Sequence, residues 1–541
     1  MGPARRRNRA LVLPLAPALV LPVVLPLVLP LSACSTAPAP RRQPNLLLVS
    51  MDTVRFDRTS LGGDRDTTPN LAALAAEGTA WSRAFSVGNE SLFSHAALFT
   101  GRYPSEIAPP DYQRFAIPKG EATLASALKA YGYDTAAFTG GGHVVAAFGF
   151  DVGFDEWSEA PGEMSFGSFY DSVPDALAYM RGHVDRPWFV FVHGYDAHSP
   201  YAQPGPFAHQ WSPEAAPTRE ALLSDPLALE QLRGDRYFPD RSPTDFVHAA
   251  GRTMLSTDFY RLPATPAPGE RTETLSPAEI QHLRDHYDNG LSYADHWLGV
   301  LLSEVNLDDT LVIVVSDHGE DLLDHGFVNH RAGLWDSTLH VPLVAAGPGI
   351  PVGGKEDGLV DLRSVTPTLL MAAGAEVPSG AVAPALQTRP AAEAVFAEGV
   401  MDMISVRDAR GRLCLSAVGA RNGAPELASR PLSGGDFSYF LEPSPADQLS
   451  DRGVQQNAND LRGRLLQWRS GLRTAGPSAD APGRAALLER LKGEGYFTPG
   501  APPPPGQAPP LPPLAPGQRP PTPTAPLGPP GPAAPPPQRG G

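Results

Sequence analysis

Cysteine is nearly absent from this chain: 541 residues carry two, Cys34 and Cys414, too few for the disulfide framework of a small secreted scaffold. Positive charge is also short. Lys and Arg number 43 against 58 Asp and Glu, giving a formal net charge of -15, and no clustered basic face is visible. Nucleic acid is therefore not an expected partner, because binding it requires Lys and Arg gathered against phosphates. No internal repeat is evident. Proline, by contrast, is in excess at 62 residues, many crowded between Pro499 and Gly541 with almost no aliphatic periodicity. That stretch reads as solvated, polyproline-like coil. With 42% hydrophobic residues, the remainder can bury a large core.

The N-terminus carries a separate signal. Arg5, Arg6, Arg7 and Arg9 precede an apolar run from Ala10 to Leu31, followed by Leu31-Ser32-Ala33-Cys34. This resembles a bacterial lipoprotein signal, which implies cleavage before Cys34, acylation of its thiol and a membrane-anchored, extracytoplasmic protein in the periplasm or on the cell surface. A transmembrane anchor is the alternative; repeated prolines and small residues before a cysteine weigh against it. Cys414, in Leu413-Cys414-Leu415, reads as a buried small hydrophobe.

From Pro44 onward, short apolar runs alternate with helical periods. That is the pattern of an α/β fold with a mainly parallel central sheet flanked by helices. Strands are expected at Asn45 to Met51, Thr135 to Thr139, Trp188 to Val192 and Thr310 to Val315. Helices are expected from Thr68-Pro69 to a closing Gly78, from Thr123 to Gly132, and from a capping box at Ser276, Pro277 and Glu279 through Leu301. Residues 202–274, rich in Pro, Arg and Asp, read as a lid or substrate-facing insertion. The resulting division is a signal peptide over 1–33, a linker over 34–43, a catalytic domain over 44–390, a smaller C-terminal α+β subdomain over 391–495 and a proline-rich tail over 496–541.

Ligands of an open parallel sheet gather at the carboxyl ends of its strands. Here those ends are polar: Met51-Asp52-Thr53, Val315-Ser316-Asp317-His318, and the strand at Trp188 running into His193, Asp196 and His198. Two carboxylates and an imidazole from separate strands are a reasonable ligand set for one divalent cation.

The segments PNLLLVSMDTVRFD, TTPNLAALAAEG, ESLFSHAALFTGRYP, GYDTAAF, FGFDVGFDEW, FVHGYDAHSPY, DTLVIVVSDHGEDLLDHG and LHVPLVAAGPG together resemble, in order, a sulfatase of the alkaline-phosphatase superfamily. YFLEPSPADQLSD resembles that family's C-terminal subdomain. The resemblance implies that Asp52, Ser91, Asp317 and His318 bind one divalent ion (Ca, Zn or Mn) and that Ser91 is the nucleophile. It further implies that His198 and His330 contact the reacting group, with His95, His193 and Arg331 as substrate contacts. The expected substrate is a small-molecule or glycan ester of sulfate or phosphate.

One departure matters. Sulfatases present Cys or Ser followed by Pro or Ala two residues on and Arg four residues on, the context in which the side chain is oxidised to formylglycine. Here Phe93 and His95 stand at those positions, and an unmodified serine is expected. A cation can still activate its hydroxyl, and a phosphorylated serine is displaced by water more readily than a sulfated one, which biases the substrate toward phosphorus. Thr53 stands where many relatives place a second acidic ligand. Two alternatives remain: a phosphoryl-group transferase acting on envelope glycans or lipids, which shares every ligand, and a non-catalytic binding lipoprotein, to which loss of Asp52, Ser91, Asp317 or His318 would be harmless.

Overall fold

The computed structural model describes residues 43–109, 115–160, 166–199, 201, 203–212, 245–249, 252–255, 271–274, 277–324, 328–330, 333–388, 390–399, 403–416, 438–442, 452–473 and 475. Residues 1–42 with Cys34, Arg331 and the proline-rich stretch over 496–541 lie outside them.

Burial explains the central strand. β1 (Asn45–Met51) reads Asn-Leu-Leu-Leu-Val-Ser-Met, and everything after Asn45 is inaccessible to solvent. Side chains alternate across a strand, so Leu46 and Leu48 enter one core while Leu47, Val49 and Met51 enter another on the opposite face. Each such side chain contributes about 1.5–3 kcal/mol of burial. A strand covered on both faces has to be apolar throughout rather than alternating.

Seven further strands complete the main sheet: β2 (Gly78–Trp81), β3 (Asp134–Thr139), β4 (Glu156–Glu159), β5 (Trp188–Gly194), β6 (Thr310–Val315), β7 (Leu343–Ala346) and β8 (Gly354–Glu356). Their order is β8-β2-β7-β6-β1-β5-β3-β4. From β6 to β4 all neighbours are parallel. β7 reverses direction against both β6 and β2, so the sheet is mixed but mostly parallel. Gly78, expected to close the first helix, instead opens β2, where an added Cβ would lie 2.0 Å from the Ala345 carbonyl.

Helices cover both faces. α1 (Pro69–Ala76), α4 (Phe169–Gly182) and α5 (Pro277–Leu302) supply the core that holds Leu47 and Val49; α2 (Ser91–Thr100), α3 (Leu124–Ala130) and α6 (Val365–Ala373) supply the other. Thr123 caps α3 by accepting from the Ser126 amide, as its position before the helix predicts. Within the insertion, Asp245–Ala249, Arg252–Leu255 and Arg271–Thr274 form a small antiparallel sheet, which its weak periodicity did not reveal. Trp211 docks on α5 through Ser292 and Asn289. A four-stranded antiparallel sheet follows, β9 (Ala394–Glu398), β10 (Ile404–Asp408), β11 (Arg412–Ser416) and β12 (Ser438–Glu442). Against it packs α7 (Arg452–Gly471), through Leu461 and Leu465. Cys414 is buried in β11. Among the described residues no helix is long and apolar enough to cross a membrane.

Candidate active site and metal centre

Strand register brings the polar strand ends together. Ser50 lies beside Val315 on one side and His193 on the other, so Asp52, Asp317 and the His193–His198 segment leave the sheet at one edge. The chain then turns sharply. Thr53 adopts φ 58, a region that costs a β-branched residue on the order of 1–3 kcal/mol. The turn is held from three directions: the Thr53 amide donates to Asp317 Oδ1 at 3.2 Å, the Tyr287 hydroxyl donates to the Thr53 carbonyl at 2.7 Å, and the Val54 amide donates to Ser316 Oγ at 2.8 Å. Its effect is to tie the ends of β1 and β6 together.

α2 arrives with Glu90 extended before it and Ser91 as its first residue; all ten of its residues are buried. It ends at Gly101 with φ 68, the left-handed closure that glycine adopts without strain. Ser91 Oγ donates to Asp52 Oδ2 at 2.9 Å and lies 3.2 Å from His318 Nε2. One ligand atom each from Asp52, Asp317 and His318 falls within 4.8 Å of the others. Asp52 Oδ1 and Asp317 Oδ2 are buried there with no hydrogen-bond partner. Two such oxygens beside an imidazole nitrogen make a cradle chemically suited to a divalent cation.

Protonation follows from the surroundings. His318 Nδ1 lies 3.0 Å from the Gly319 carbonyl, so that nitrogen carries the proton and Nε2 presents its lone pair to the cluster. Burial, assisted by the charge at His330, lowers the His318 pKa to about 4. Burial likewise lowers His95 and His193, the latter strongly and with help from His95. Burial and then the Asp317 charge push Asp52 well above the ordinary carboxylate range. At Asp317 burial works the other way from its surroundings, and His318, His95 and His193 outweigh it to hold the carboxyl down.

His95 and His193, expected as substrate contacts, sit behind the cluster. His95 is wholly buried, its Nδ1 2.8 Å from the Ser91 carbonyl and its Nε2 2.9 Å from Ser50 Oγ. Neither ring nitrogen is left to meet a substrate, so His95 braces the first turn of α2 against β1. His193 Nε2 lies 3.2 Å from Asp52 Oδ2. His198 stacks on Phe166 with centroids 4.8 Å apart and places Nδ1 2.6 Å from the Ser199 carbonyl. Its ring is 5.5 Å from that of His330, which is 4.2 Å from that of His318. Arg55 pairs with Asp57 and also binds Asp324.

Two acidic residues were not anticipated. His330 Nδ1 lies 3.1 Å from Glu320 Oε1, and Nε2 lies 3.7 Å from Glu90 Oε2, all three residues being buried. Burial opposes a charge on His330, but Glu320 and Glu90 outweigh it and raise its pKa to about 10, so the ring is an imidazolium at neutral pH. Asn89 fixes the same segment by donating to the His330 and Gly333 carbonyls at 2.7 and 3.1 Å. The only sequence signal was position: Asn89-Glu90 directly precedes the expected nucleophile, and Glu320 lies two residues after His318.

A sulfatase family model matches residues 44–375. The chain is 27% identical over 231 residues to the multifunctional alkaline phosphatase superfamily protein PehA of Trinickia caryophylli, covering 41% of each chain. It is 23% identical over 387 residues to an arylsulfatase of Clostridium perfringens, covering 62% of this chain and 76% of that one. The alignment thus spans less than half of the first relative. The fold is shared with the phosphonate monoester hydrolase SpPMH from Silicibacter pomeroyi, at a TM-score of 0.58 and 19% identity, over 80% of this chain and 96% of that one. With most of its main sheet inside the matched region, the chain belongs to the sulfatase family.

Proposed function

We propose that this protein hydrolyses esters of the sulfate and phosphate type, with phosphate favoured, and that unmodified Ser91 is the nucleophile. The observation that supports the reading is the position of Ser91: the first residue of a buried helix, within hydrogen-bonding distance of Asp52 and His318, beside two buried carboxylate oxygens with no hydrogen-bond partner. PehA and SpPMH are named for phosphatase-superfamily and phosphonate-ester chemistry, which is consistent with a phosphorus substrate.

Asp52, Asp317 and His318 would hold a divalent cation, with Ser91 beside it; such an ion supplies a Lewis acid that eases loss of the serine proton and offsets charge on the transferring group. The chain's own residues do the rest. Asp52 orients the Ser91 hydroxyl through the bond at 2.9 Å. The amino end of α2 favours an anion at the same place. His330, held charged between Glu90 and Glu320, stabilises the ester oxygens. Ser91 Oγ gives its proton to Asp52 Oδ2, to which it is hydrogen-bonded, and attacks phosphorus in line; the P–O bond to the ester oxygen breaks as His198 delivers a proton to it. Water, losing a proton to His198, then displaces the phosphate, and the serine oxygen takes its proton back from Asp52. His95 is a positioning residue, because it touches the Ser91 carbonyl and not the reacting atoms.

The decisive experiment compares turnover of aryl sulfate, aryl phosphate and diaryl phosphate by the full chain and by Ser91→Ala. Wild type is expected to prefer a phosphorus ester, and the variant to lose at least about 10³-fold in kcat. Retained turnover in Ser91→Ala refutes the nucleophile assignment, and an aldehyde in the mass of the Ser91 peptide refutes the unmodified serine. We further propose export and lipid anchoring through Cys34; Cys34→Ala should abolish labelling of the cellular protein by radioactive palmitate.

A further inference from the structure

α5 carries a second group of metal-ligating side chains. His282 and His286 are four residues apart, which places them one above the other on a helix face. Both are buried, and their Nε2 atoms are 3.0 Å apart. The rings are nearly perpendicular, with centroids 4.5 Å apart. Tyr287, roughly 100° further round the helix, is the residue that reaches the Thr53 turn, so the histidine pair lies on a different side of the helix from the residue that touches the Asp52–Asp317 cluster.

We infer that His282 and His286 form a second, independent binding site for a borderline transition-metal ion of the Zn²⁺ class. Two imidazole nitrogens on one tetrahedral zinc, each about 2.05 Å from it, stand about 3.3 Å apart. The observed spacing is within a few tenths of an ångström of that value, and helical i, i+4 spacing supplies it without backbone movement. His209 is a further imidazole within reach of a rotamer change, its ring centroid 6.5 Å from that of His286, and it is exposed, so water can complete the coordination. The neighbouring carboxylates are committed elsewhere: Asp285 to Arg65 and Gln281, Asp288 to Arg58 and Arg65. A donor set of imidazoles selects Zn²⁺ over Ca²⁺ or Mg²⁺, which require oxygen.

The test is zinc stoichiometry in the full chain. Metal-stripped wild type, H282Q/H286Q and D317N are equilibrated with Zn²⁺, and bound metal per chain is measured by plasma mass spectrometry. H282Q/H286Q is expected to hold one zinc fewer than wild type, and D317N to retain the zinc that the pair variant loses. Equal zinc in wild type and H282Q/H286Q overturns the inference, whatever the Asp52–Asp317 cluster binds. If H282Q/H286Q lacks a cooperative melt, zinc-soaked crystals of the wild type decide. Anomalous density within about 2.1 Å of both Nε2 atoms supports the site, and its absence overturns it.

Discussion

Replacing Asp52 by Asn should destroy activity and, without metal, raise stability. In the metal-free protein Asp52 and Asp317 lie in the same buried cluster, each with one oxygen lacking a hydrogen-bond partner. Asparagine keeps an oxygen to accept from Ser91 and removes one ionisable group. Relieving a buried, incompletely partnered charge is worth on the order of 1–3 kcal/mol. A domain of this size gains unfolding entropy of about 0.7 kcal/mol/K, so ~2 kcal/mol reads as about 3 °C in Tm. The folded carboxyl of Asp52 is raised above its unfolded value, with burial as the first cause. Its contribution to wild-type stability is therefore fully present below the unfolded pKa near 3.8 and is lost as pH rises through the folded pKa. Accordingly, the advantage of Asp52→Asn in EDTA should grow as pH rises through the folded pKa and shrink on acidification. A divalent ion at 100 times its Kd should reverse the order by stabilising wild type by about 2.7 kcal/mol and the variant by little. Differential scanning calorimetry with EDTA and with Zn²⁺ or Ca²⁺ measures all of this. A variant that melts below wild type in EDTA at pH 8, or gains as much from the ion, refutes the cluster as the cation site.

His330→Gln should lower kcat for the preferred ester by about 10²-fold with little change in the melting curve's shape, the scale set by removal of one donor to a transition-state oxygen; unchanged kcat would remove His330 from the mechanism. Because Glu320 and Glu90 raise the His330 pKa to about 10, the stability this charge provides should be complete below pH 6.5 and fade as pH rises through about 10, seen as a steeper alkaline loss of Tm in wild type than in His330→Gln. His95→Ala removes bonds to both the Ser91 carbonyl and Ser50 and should lower kcat more than it alters KM; a pure KM effect would return His95 to substrate contact. Arg412→Met should cost about 3–5 kcal/mol by denaturant unfolding, since buried Arg412 binds Asp336 at 2.7 Å and Ser405 at 3.1 Å and joins the C-terminal sheet to the region of His330; a loss under 1 kcal/mol would show that Arg407, which also binds Asp336 at 3.1 Å, alone suffices for it.

Much of the site was legible because each candidate residue advertises itself locally. Asp52, Asp317 and His193 each end an apolar run, and a polar residue at the end of a buried strand points to a crevice whatever its partners are. What stayed hidden depends on distance along the chain. Glu90 and Glu320 act as a pair only because His330 is folded between them, and nothing within a window of ten residues carries that information. The position of His95 is another case. As a spacing it looked like a replacement for the family's arginine behind the nucleophile, whereas the 3.6-residue period turns the fifth residue of α2 back over the first and onto the Ser50 face of β1. The reversal of β7 was invisible for the same reason that its burial was clear: Leu-Val-Ala-Ala is as apolar in either direction.

Thr53 bears on the same pocket. An acidic residue there would add a third carboxylate beside the two already present, and threonine instead leaves the proposed cation site of Asp52, Asp317 and His318 with a smaller negative charge. A less anionic pocket repels a phosphate dianion less, and the imidazolium of His330 adds to that bias. Yet threonine is poorly suited to φ 58, so its backbone conformation has to be imposed by Asp317, Tyr287 and Ser316. Thr53→Gly should therefore relax the turn without shifting the ligands, and Tyr287→Phe should loosen it. If Thr53→Asp raised activity toward phosphate monoesters, the proposed link between low pocket charge and phosphorus chemistry would be wrong; a fall of tenfold or more in kcat/KM for the monoester, with a smaller fall for the singly charged diester, is the expected result.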